Sequence, residues 1–308
     1  MMKEQIRKKA LELGFDACGF APAVPIDNLK EFYDGFLGEH RQATMGYLER
    51  YAEQRLDASL LLKGVKTVIA VLMNYNPPQL IPEEDNFIIS RYAYGKRYPP
   101  FIKPKLSQLA GFVDSIGGAG NTSRVFVDSG PVLEKAWAQR CGTGWQGKHT
   151  IVINSSMGSF FFIGIIFSTL EVEPDKPETD HCGNCKRCME ACPTGAIDRP
   201  YQLKISRCIS YCTLVKDADM PDDVRSKLGK RIFGCDICQN VCPFNRFAKP
   251  TTEAHFHPSE ALKRMRRNDW INLTEEKFKE LFTGSSIGEK GYEWLMRKVR
   301  NVANGSLF

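Results

Sequence analysis

The sequence contains no hydrophobic run long enough to cross a membrane. Its longest apolar stretch, residues 160–167, has the length of a β-strand, whereas a membrane-spanning helix needs about 18 or more apolar residues. The N-terminus also lacks the apolar core and the small-residue cleavage site of a secretory signal, because charged residues interrupt it throughout. The sequence therefore predicts a cytoplasmic protein without a membrane segment.

The chain also lacks internal repeats outside its cysteines, and its overall composition is not extreme. It has 308 residues, of which 43% are hydrophobic and 25% are charged, as in ordinary globular proteins with a substantial core. The formal net charge is +6, but residues 1–181 hold 20 Lys and Arg against 21 Asp and Glu, whereas residues 182–308 hold 22 against 15. A basic half can bind a polyanion such as nucleic acid, although so mild an excess commonly belongs to ordinary solvated surface.

Helical and strand patterns before the cysteines predict a mixed α/β layer domain. Residues 1–20 carry aliphatic residues at helical spacing, and residues 66–75 form a continuous apolar run that predicts a strand in a sheet covered on both faces. Further predicted strands are 124–127, 150–154 and 159–167, and further predicted helices are 103–116 and 131–140. A polar, proline-containing linker at 171–181 leads to a cysteine-rich module at 182–242, and short helices are predicted at 260–267, 274–282 and 292–302.

Nine of the eleven cysteines lie between residues 182 and 242. In a chain expected in the cytoplasm, such clustering indicates metal binding and not disulfides. The first run is Cys182-x2-Cys185-x2-Cys188-x3-Cys192-Pro193, which is the bacterial ferredoxin spacing. In that pattern three thiolates hold one cubane cluster and the fourth cysteine reaches a second cluster. The run therefore predicts a ferredoxin-like module with two 4Fe-4S clusters.

A second run, Cys235-x2-Cys238-x3-Cys242-Pro243, lacks its first cysteine, because Ile232 stands at that position. If the two runs are related by pseudo-symmetry, one cluster is held by Cys182, Cys185, Cys188 and Cys242. The other takes Cys192, Cys235 and Cys238. The spacing leaves open whether Cys208 or Cys212 supplies its fourth ligand. Two zinc sites or a redox dithiol are the alternatives, but runs closed by Cys-Pro fit neither well. Cys18 and Cys141 are isolated and predict no function.

Asp128 stands where an apolar strand ends and a helix is predicted to begin. The commonplace interpretation is a helix N-cap. The alternative is a proton donor, which requires burial that raises the carboxyl pKa. Downstream, residues 141–150 contain three glycines that permit close approach to a large ligand, but their spacing matches neither a dinucleotide fingerprint nor a P-loop. Lys148 and His149 in this loop are candidates to contact such a ligand, or are ordinary surface residues.

Four segments together resemble the epoxyqueuosine reductase family: VDSGPVLEKAWAQRCGTGWQGKHT, CGNCKRCMEACPTGAI, CISY and GCDICQNVCPFNRF. The resemblance extends upstream through LGFDACGFAPA, MGYLERYAEQR and SRYAYGKRY and covers almost all of residues 10–250. It implies reduction of epoxyqueuosine to queuosine at the tRNA wobble position, with cobalamin and two 4Fe-4S clusters as cofactors. The implied α+β fold has a nitroreductase-like cobalamin-binding α/β domain at 1–175, a ferredoxin-like domain at 176–248 and a short basic helical tail at 249–308.

The resemblance also implies roles for individual residues. Asp128 matches the family's proposed proton donor, and Cys208 of CISY matches its remaining cluster ligand. Five residues lie in segments that line the cobalamin pocket of similar proteins: Arg91, Lys148, His149, Asn154 and Ser210. Lys96-Arg97-Tyr98-Pro99 departs from a frequent Asp-Tyr-His, so no role is transferred to those side chains. Longer members carry a C-terminal array of HEAT-like repeats, and the resemblance implies a short form without it.

The implied partners are tRNA carrying epoxyqueuosine and a small electron donor such as a flavodoxin or a ferredoxin, and the protein is expected to be a monomer. One alternative is a reductive dehalogenase, but the sequence shows no twin-arginine export signal, which disfavours it. The other is a non-catalytic electron carrier, which would bind no cobalamin. With a basic C-terminal part, the chain offers cations for tRNA phosphates. The candidates are Lys230, Arg231, Arg246, Lys249, Arg297, Lys298 and Arg300.

Overall fold

The structure is a computed structural model that describes residues 2–215 and 220–303. The end of the predicted tail, residues 304–308, lies outside the described residues. The α-helices are α1 Met2–Glu12, α2 Lys30–Gly38, α3 Ala52–Leu56, α4 Tyr98–Gly117, α5 Glu134–Arg140, α6 Arg187–Glu190, α7 Ile209–Leu214, α8 Asp222–Arg225, α9 Ile237–Asn240, α10 Glu260–Arg264, α11 Arg267–Ile271, α12 Glu275–Phe282 and α13 Tyr292–Ala303. No helix in these ranges is both long enough and apolar enough to traverse a lipid bilayer.

A four-stranded antiparallel sheet with the order β1-β2-β7-β4 forms the centre of the region before the cysteines. Two further pairs, β3 with β8 and β5 with β6, lie outside it. The strands are β1 Ala17–Pro22, β2 Thr67–Asn74, β3 Ile88–Ile89, β4 Ser123–Phe126, β5 Trp145–Gln146, β6 Val152–Ile153, β7 Phe161–Ser168 and β8 Arg231–Phe233. Together with the helices they make the mixed α and β fold that the sequence predicts.

Strand β2 is buried on both faces, as its continuous apolar run predicts. Successive side chains of a strand point to opposite faces. Val68, Ala70 and Leu72 pack in one core cluster, which includes Trp137 of α5. The alternate residues of β2 pack in a second cluster with the buried faces of α1 and α4. The sheet is therefore covered by helices on both sides, which confirms the sequence interpretation.

Several predicted boundaries differ from the observed ones. The predicted helix over 1–20 ends at Glu12, because Gly14 adopts a positive φ of 87° and the following residues pair with β2 as strand β1. Helix α4 begins at Tyr98 and not at 103, since the prolines at its start occupy first-turn positions, where a missing N–H costs little. Helix α5 begins at Glu134, three residues after the predicted start.

The C-terminal helices pack around the short β3–β8 pair and form a core cluster with it. Trp270, Leu295 and Val299 are fully buried in this cluster. Ile232 of β8 belongs to the same cluster and is 0% exposed. The position at which the second cysteine run lacks a ligand is thus occupied by a core side chain, which faces the C-terminal helices.

Candidate active site and cluster-binding cysteines

The first group of cysteines consists of Cys182, Cys185, Cys188 and Cys242, which come from two distant parts of the chain. Burial raises the pKa of the Cys188 thiol to about 11, and the neighbouring thiols of the other three contribute to this rise. All four line one small cavity of about 50 Å³. The cysteine that closes the second run therefore lies with the first three cysteines of the first run, as pseudo-symmetry predicts.

The second group contains Cys192, Cys208, Cys235 and Cys238. Burial raises the pKa of Cys238 well above its usual value, and the nearby thiols of Cys208 and Cys235 raise it further. The charge of Cys192 in turn raises the pKa of Cys208, so these two thiols are also close together. Cys212 lies one helical turn after Cys208, but its Sγ donates to the carbonyl oxygen of Ser206 at 3.3 Å within a buried cluster. The structure thus brings Cys208, and not Cys212, together with the three cysteines that need a fourth cluster ligand.

The sulfur atoms of both groups are surrounded by N–H donors. The backbone N–H groups of Ser210 and Tyr211 oppose the rise in the pKa of Cys208 that burial causes, and those of Phe244 and Asn245 do the same for the pKa of Cys242. Such donors stabilise thiolates and tune the potential of an iron-sulfur cluster. Two sets of four cysteines with N–H donors directed at them fit two 4Fe-4S clusters.

Two buried nitrogen atoms beside the first group have no hydrogen-bond partner of standard geometry in the described part of the chain: Trp145 Nε1 and His149 Nε2. Trp145 is directed at the Cys182 sulfur. His149 Nδ1 accepts a hydrogen bond from Ile151 N at 3.2 Å, so the proton of the neutral ring is on Nε2. Burial lowers the pKa of His149 to about 4, which keeps the ring neutral. His149 lines the cavity of the first group, so cluster sulfur would accept a hydrogen bond from its Nε2, while the Trp145 N–H is directed at Cys182.

Lys148 and His149 were predicted from the resemblance to contact cobalamin. The structure places both on the cavity of the first cysteine group and not in the cavity at Asp128. The Lys148 ammonium donates to the carbonyl oxygens of Gly183 and Cys185. It therefore fixes the loop that carries the first cysteines, and the sequence had no signal for this long-range contact.

Asp128 lies at the wall of a cavity of about 530 Å³ between the sheet region and the cysteine module. The cavity is lined by α2 and the segment that follows it, by the start of α5, and by Tyr201, Gln202, Leu203 and Ile205. The lining includes aromatic and amide side chains: Phe32, Tyr33, Phe36, Tyr47, Gln146, Tyr201 and Gln202. This combination can contact the apolar faces and the amide groups of a large cofactor.

The backbone of Asp128 is in the left-handed region, with φ of 49°. Its N–H donates to Glu134 Oε1 at 2.7 Å, and its Oδ2 accepts from the Tyr98 hydroxyl at 2.5 Å. Asp128 is not an N-cap, because α5 begins at Glu134 with Leu133 as the capping position. The proton-donor interpretation expected a buried carboxyl, whereas Asp128 is exposed to the open cavity. A non-glycine residue held in this conformation by two side chains is typical of a functional site.

Three residues around Asp128 were not identified from the sequence: Tyr98, Glu134 and Lys135. Burial raises the pKa of Glu134 to about 8, and the Asp128 charge adds to the rise. Lys135 Nζ donates to Thr150 O at 3.0 Å. Loss of solvation among the surrounding residues lowers the pKa of Lys135, and the negative charges of Asp128, Cys208 and Cys238 oppose this shift. Lys135 thus lies between the cavity and the second cysteine group. Glu134 and Lys135 lie within the motif that contains Asp128, so proximity in sequence was the available signal.

The other predicted cofactor contacts lie apart from the Asp128 cavity. Arg91 lies over the Phe160 ring at 4.3 Å and donates to Asn76 and Asn240. Asn154 donates to Thr143 O at 2.8 Å and caps a tight turn through its side-chain oxygen. Ser210 is in α7 beside Cys208. None of these three lines the Asp128 cavity.

One of the predicted tRNA-binding cations is not at the surface. Lys298 is 4% exposed, and its Nζ donates to Cys212 O at 3.2 Å. Burial lowers its pKa to about 8. Its neighbours on α13, Arg297 and Arg300, are exposed. The prediction that all three bind phosphate is therefore wrong for Lys298, since helical periodicity turns that position toward the core.

Comparison with known proteins agrees with this geometry. Residues 181–245 match a family described as a 4Fe-4S double cluster binding domain, which favours clusters over zinc. Residues 55–129 match the family described as epoxyqueuosine reductase QueG, DUF1730. An epoxyqueuosine reductase of Cellulophaga algicola is 40% identical and is matched over 96% of this chain and 95% of its own length.

Two solved structures are similar to the whole described fold. A crystal structure of epoxyqueuosine reductase with an epoxyqueuosine-modified tRNA-Tyr stem loop has a TM-score of 0.87 and 30% identity, covering 98% of this chain and 80% of that chain. A Bacillus subtilis epoxyqueuosine reductase, whose catalytic aspartate loop is swung out of the active site, has a TM-score of 0.86 and 29% identity, with the same coverage. On the full-length similarity to the Cellulophaga protein, the chain belongs to the epoxyqueuosine reductase family.

Proposed function

We propose that this protein reduces epoxyqueuosine to queuosine at the wobble position of tRNA, with cobalamin and two 4Fe-4S clusters. The observation that carries the proposal is the position of the cavity at Asp128. Lys135 lines this cavity and is also close to Cys208 and Cys238 of the second cysteine group. A site for chemistry and a site for electrons are therefore adjacent. The division into a catalytic domain at 1–175, a ferredoxin-like domain at 176–248 and a basic tail at 249–308 is part of this proposal.

The cofactors have residues that fit them. The clusters would be held by the two groups of four cysteines, and cobalamin would lie in the cavity at Asp128, against its aromatic and amide side chains. When bound, these groups supply single electrons and the reducing centre that opens the epoxide. The protein contributes the position of the substrate, the exclusion of water and the proton.

Asp128 is the proposed proton donor to the oxygen that leaves the epoxide. Conversion of an epoxide to an alkene consumes two electrons and two protons and releases water, so a proton must reach that oxygen. Tyr98 and Glu134 hold the Asp128 loop by one hydrogen bond each. The related Bacillus subtilis enzyme has been captured with its catalytic aspartate loop swung out, which supports a loop that these two contacts keep in place.

The proposed macromolecular substrate is tRNA, as in the related enzyme solved with a modified stem loop. Phosphates would be contacted by exposed cations of the C-terminal half, among them Arg297 and Arg300. Lys298 is excluded from this set by its burial. A small electron carrier such as a flavodoxin or a ferredoxin would deliver the electrons, and the protein would act as a cytoplasmic monomer.

The deciding experiment is anaerobic turnover of an epoxyqueuosine-containing tRNA stem loop with a chemical reductant, with and without added cobalamin. We expect queuosine only when cobalamin is present. A non-catalytic electron carrier would show iron-sulfur absorbance without cobalamin bands and would form no product. A dehalogenase would bind cobalamin but leave the tRNA unchanged.

A further inference from the structure

A second open depression, of about 860 Å³, lies beside the first cysteine group. Cys242 forms part of its wall. Its charged lining residues are Arg91, Arg187, Arg246 and Glu190, so positive charges outnumber the negative one by three to one. We refer to this depression as the arginine groove.

Two of the three arginines are available to a partner. Arg187 and Arg246 are exposed, and neither forms an ion pair with another of the described residues. Arg246 lies over the Phe247 ring at 4.6 Å, and Phe247 itself is 42% exposed. Arg91 differs, because its guanidinium is held by Asn76 and Asn240. The groove therefore presents uncompensated positive charge next to an exposed aromatic ring, a combination common at protein interfaces.

The groove adjoins the first cysteine group, whereas the Asp128 cavity adjoins the second. Cys242, at the groove, belongs to the first group. The second group lies near the cavity, because Lys135 lines the cavity and is close enough to Cys208 and Cys238 to interact with their charges. None of the described residues lines both the groove and the cavity. The groove is therefore separate from the cavity, and a partner in the groove leaves the cavity open for tRNA.

We propose that the arginine groove is the docking surface for a small electron-carrier protein with an acidic face. The carrier would lose one electron and the first cluster would gain it, so that a second docking event completes the two-electron reaction. This inference rests on the proposed function, because it takes the cluster order as a route toward the cavity. It reassigns Arg246, a sequence-based candidate for tRNA contact, to the electron donor. Charge complementarity would act mainly on the association rate.

The test uses the full-length holoprotein and a photoreduced flavodoxin as the probe. Stopped-flow absorbance follows cluster reduction in wild type, in the double variant Arg187→Glu/Arg246→Glu and in the control Arg264→Glu, which reverses one exposed charge of α10 outside the groove. We expect cluster reduction by flavodoxin to slow about tenfold or more in the double variant and to lose its salt dependence. The control should behave as wild type.

Two further measurements separate the outcomes. Iron content and the EPR signal after exhaustive chemical reduction must match wild type, which shows that the double variant has both clusters. Affinity for the tRNA stem loop should be unchanged. If flavodoxin reduction is as fast as in wild type, the docking proposal is wrong. If stem-loop affinity falls while flavodoxin reduction is normal, the groove binds RNA instead. Turnover of the stem loop by wild type with a chemical reductant tests the proposed function separately from either result.

Discussion

The Tyr98 hydroxyl donates a hydrogen bond to Asp128 Oδ2 at 2.5 Å, although 30 residues separate them in the chain. Tyr98 is the first residue of α4 and stacks on Phe162 with ring centroids 3.9 Å apart. Burial and the Asp128 charge raise the pKa of Tyr98 far above its usual range, so the phenol stays protonated and acts as the donor. The stacked ring thereby fixes the carboxylate at the cavity wall.

This contact predicts that Tyr98→Phe slows turnover while leaving the fold intact, since the phenyl ring keeps the stacking on Phe162. A hydrogen bond to a charged group contributes about 1.5–3 kcal/mol, so we expect kcat to fall about tenfold or more. Single-turnover assays on an epoxyqueuosine stem loop measure the effect. Unchanged kcat in a protein with normal cobalamin bands would show that Tyr98 does not position Asp128.

Asp128→Asn tests the proton donor directly. The amide keeps the shape of the side chain but cannot supply the proton, so we expect turnover to fall about a hundredfold or more. Cobalamin binding and stem-loop affinity, measured by absorbance and by fluorescence anisotropy, should remain near wild type. A folded variant with full activity would remove Asp128 from the mechanism.

Glu134 predicts a pH-dependent stability difference. Its pKa is raised from 4.5 to about 8, first by burial and then by Asp128. A carboxyl with a raised folded-state pKa contributes stability that is fully present below pH 4.5 and is lost as the pH rises through about 8. The side chain of Glu134→Gln does not ionise. The Tm of the variant minus the Tm of wild type should therefore increase between about pH 4.5 and pH 8 and stay constant at higher pH. Parallel Tm curves for the two holoproteins would contradict the prediction.

Cys208→Ser and Cys212→Ser form a matched pair one helical turn apart. Cys208 lies with the second cysteine group, whereas the Cys212 thiol is bonded to Ser206 O. We expect Cys208→Ser to lower iron content toward a single cluster and Cys212→Ser to retain both. Iron analysis and EPR of anaerobically purified protein give the answer. Equal loss in the two variants, or loss only at Cys212, would overturn the ligand assignment.

The exposed arginines of α13 predict how salt affects tRNA binding. Each phosphate contact contributes about 0.7–0.9 to the slope of log affinity against log salt. Reversal of Arg297 and Arg300 to Glu should therefore weaken stem-loop binding and reduce that slope by about one to two. Lys8→Glu on α1, also exposed, is the control. If the slope does not change, the last helix does not hold the RNA.

Local patterns in the sequence determined much of this protein. The ferredoxin spacing groups the first three cysteines, because three ligands of one cluster come from one tight loop. The apolar run of β2 predicted a sheet covered on both faces, since alternate side chains point to opposite sides. Family motifs pointed to Asp128 and Cys208. These features depend on residues that are near one another in the chain.

Tertiary structure decided what depends on distant residues. The Lys148 ammonium contacts carbonyl groups 35 and 37 residues away, so a loop residue expected at cobalamin lies instead at the first cysteine group. Lys298, one of three candidates for RNA contact on α13, donates instead to Cys212 O, 86 residues away in the chain. Tyr98 stands in a segment that departs from the family pattern, yet packing brings it to Asp128. Contacts of this kind are set by how helices and strands pack, and no local spacing encodes them.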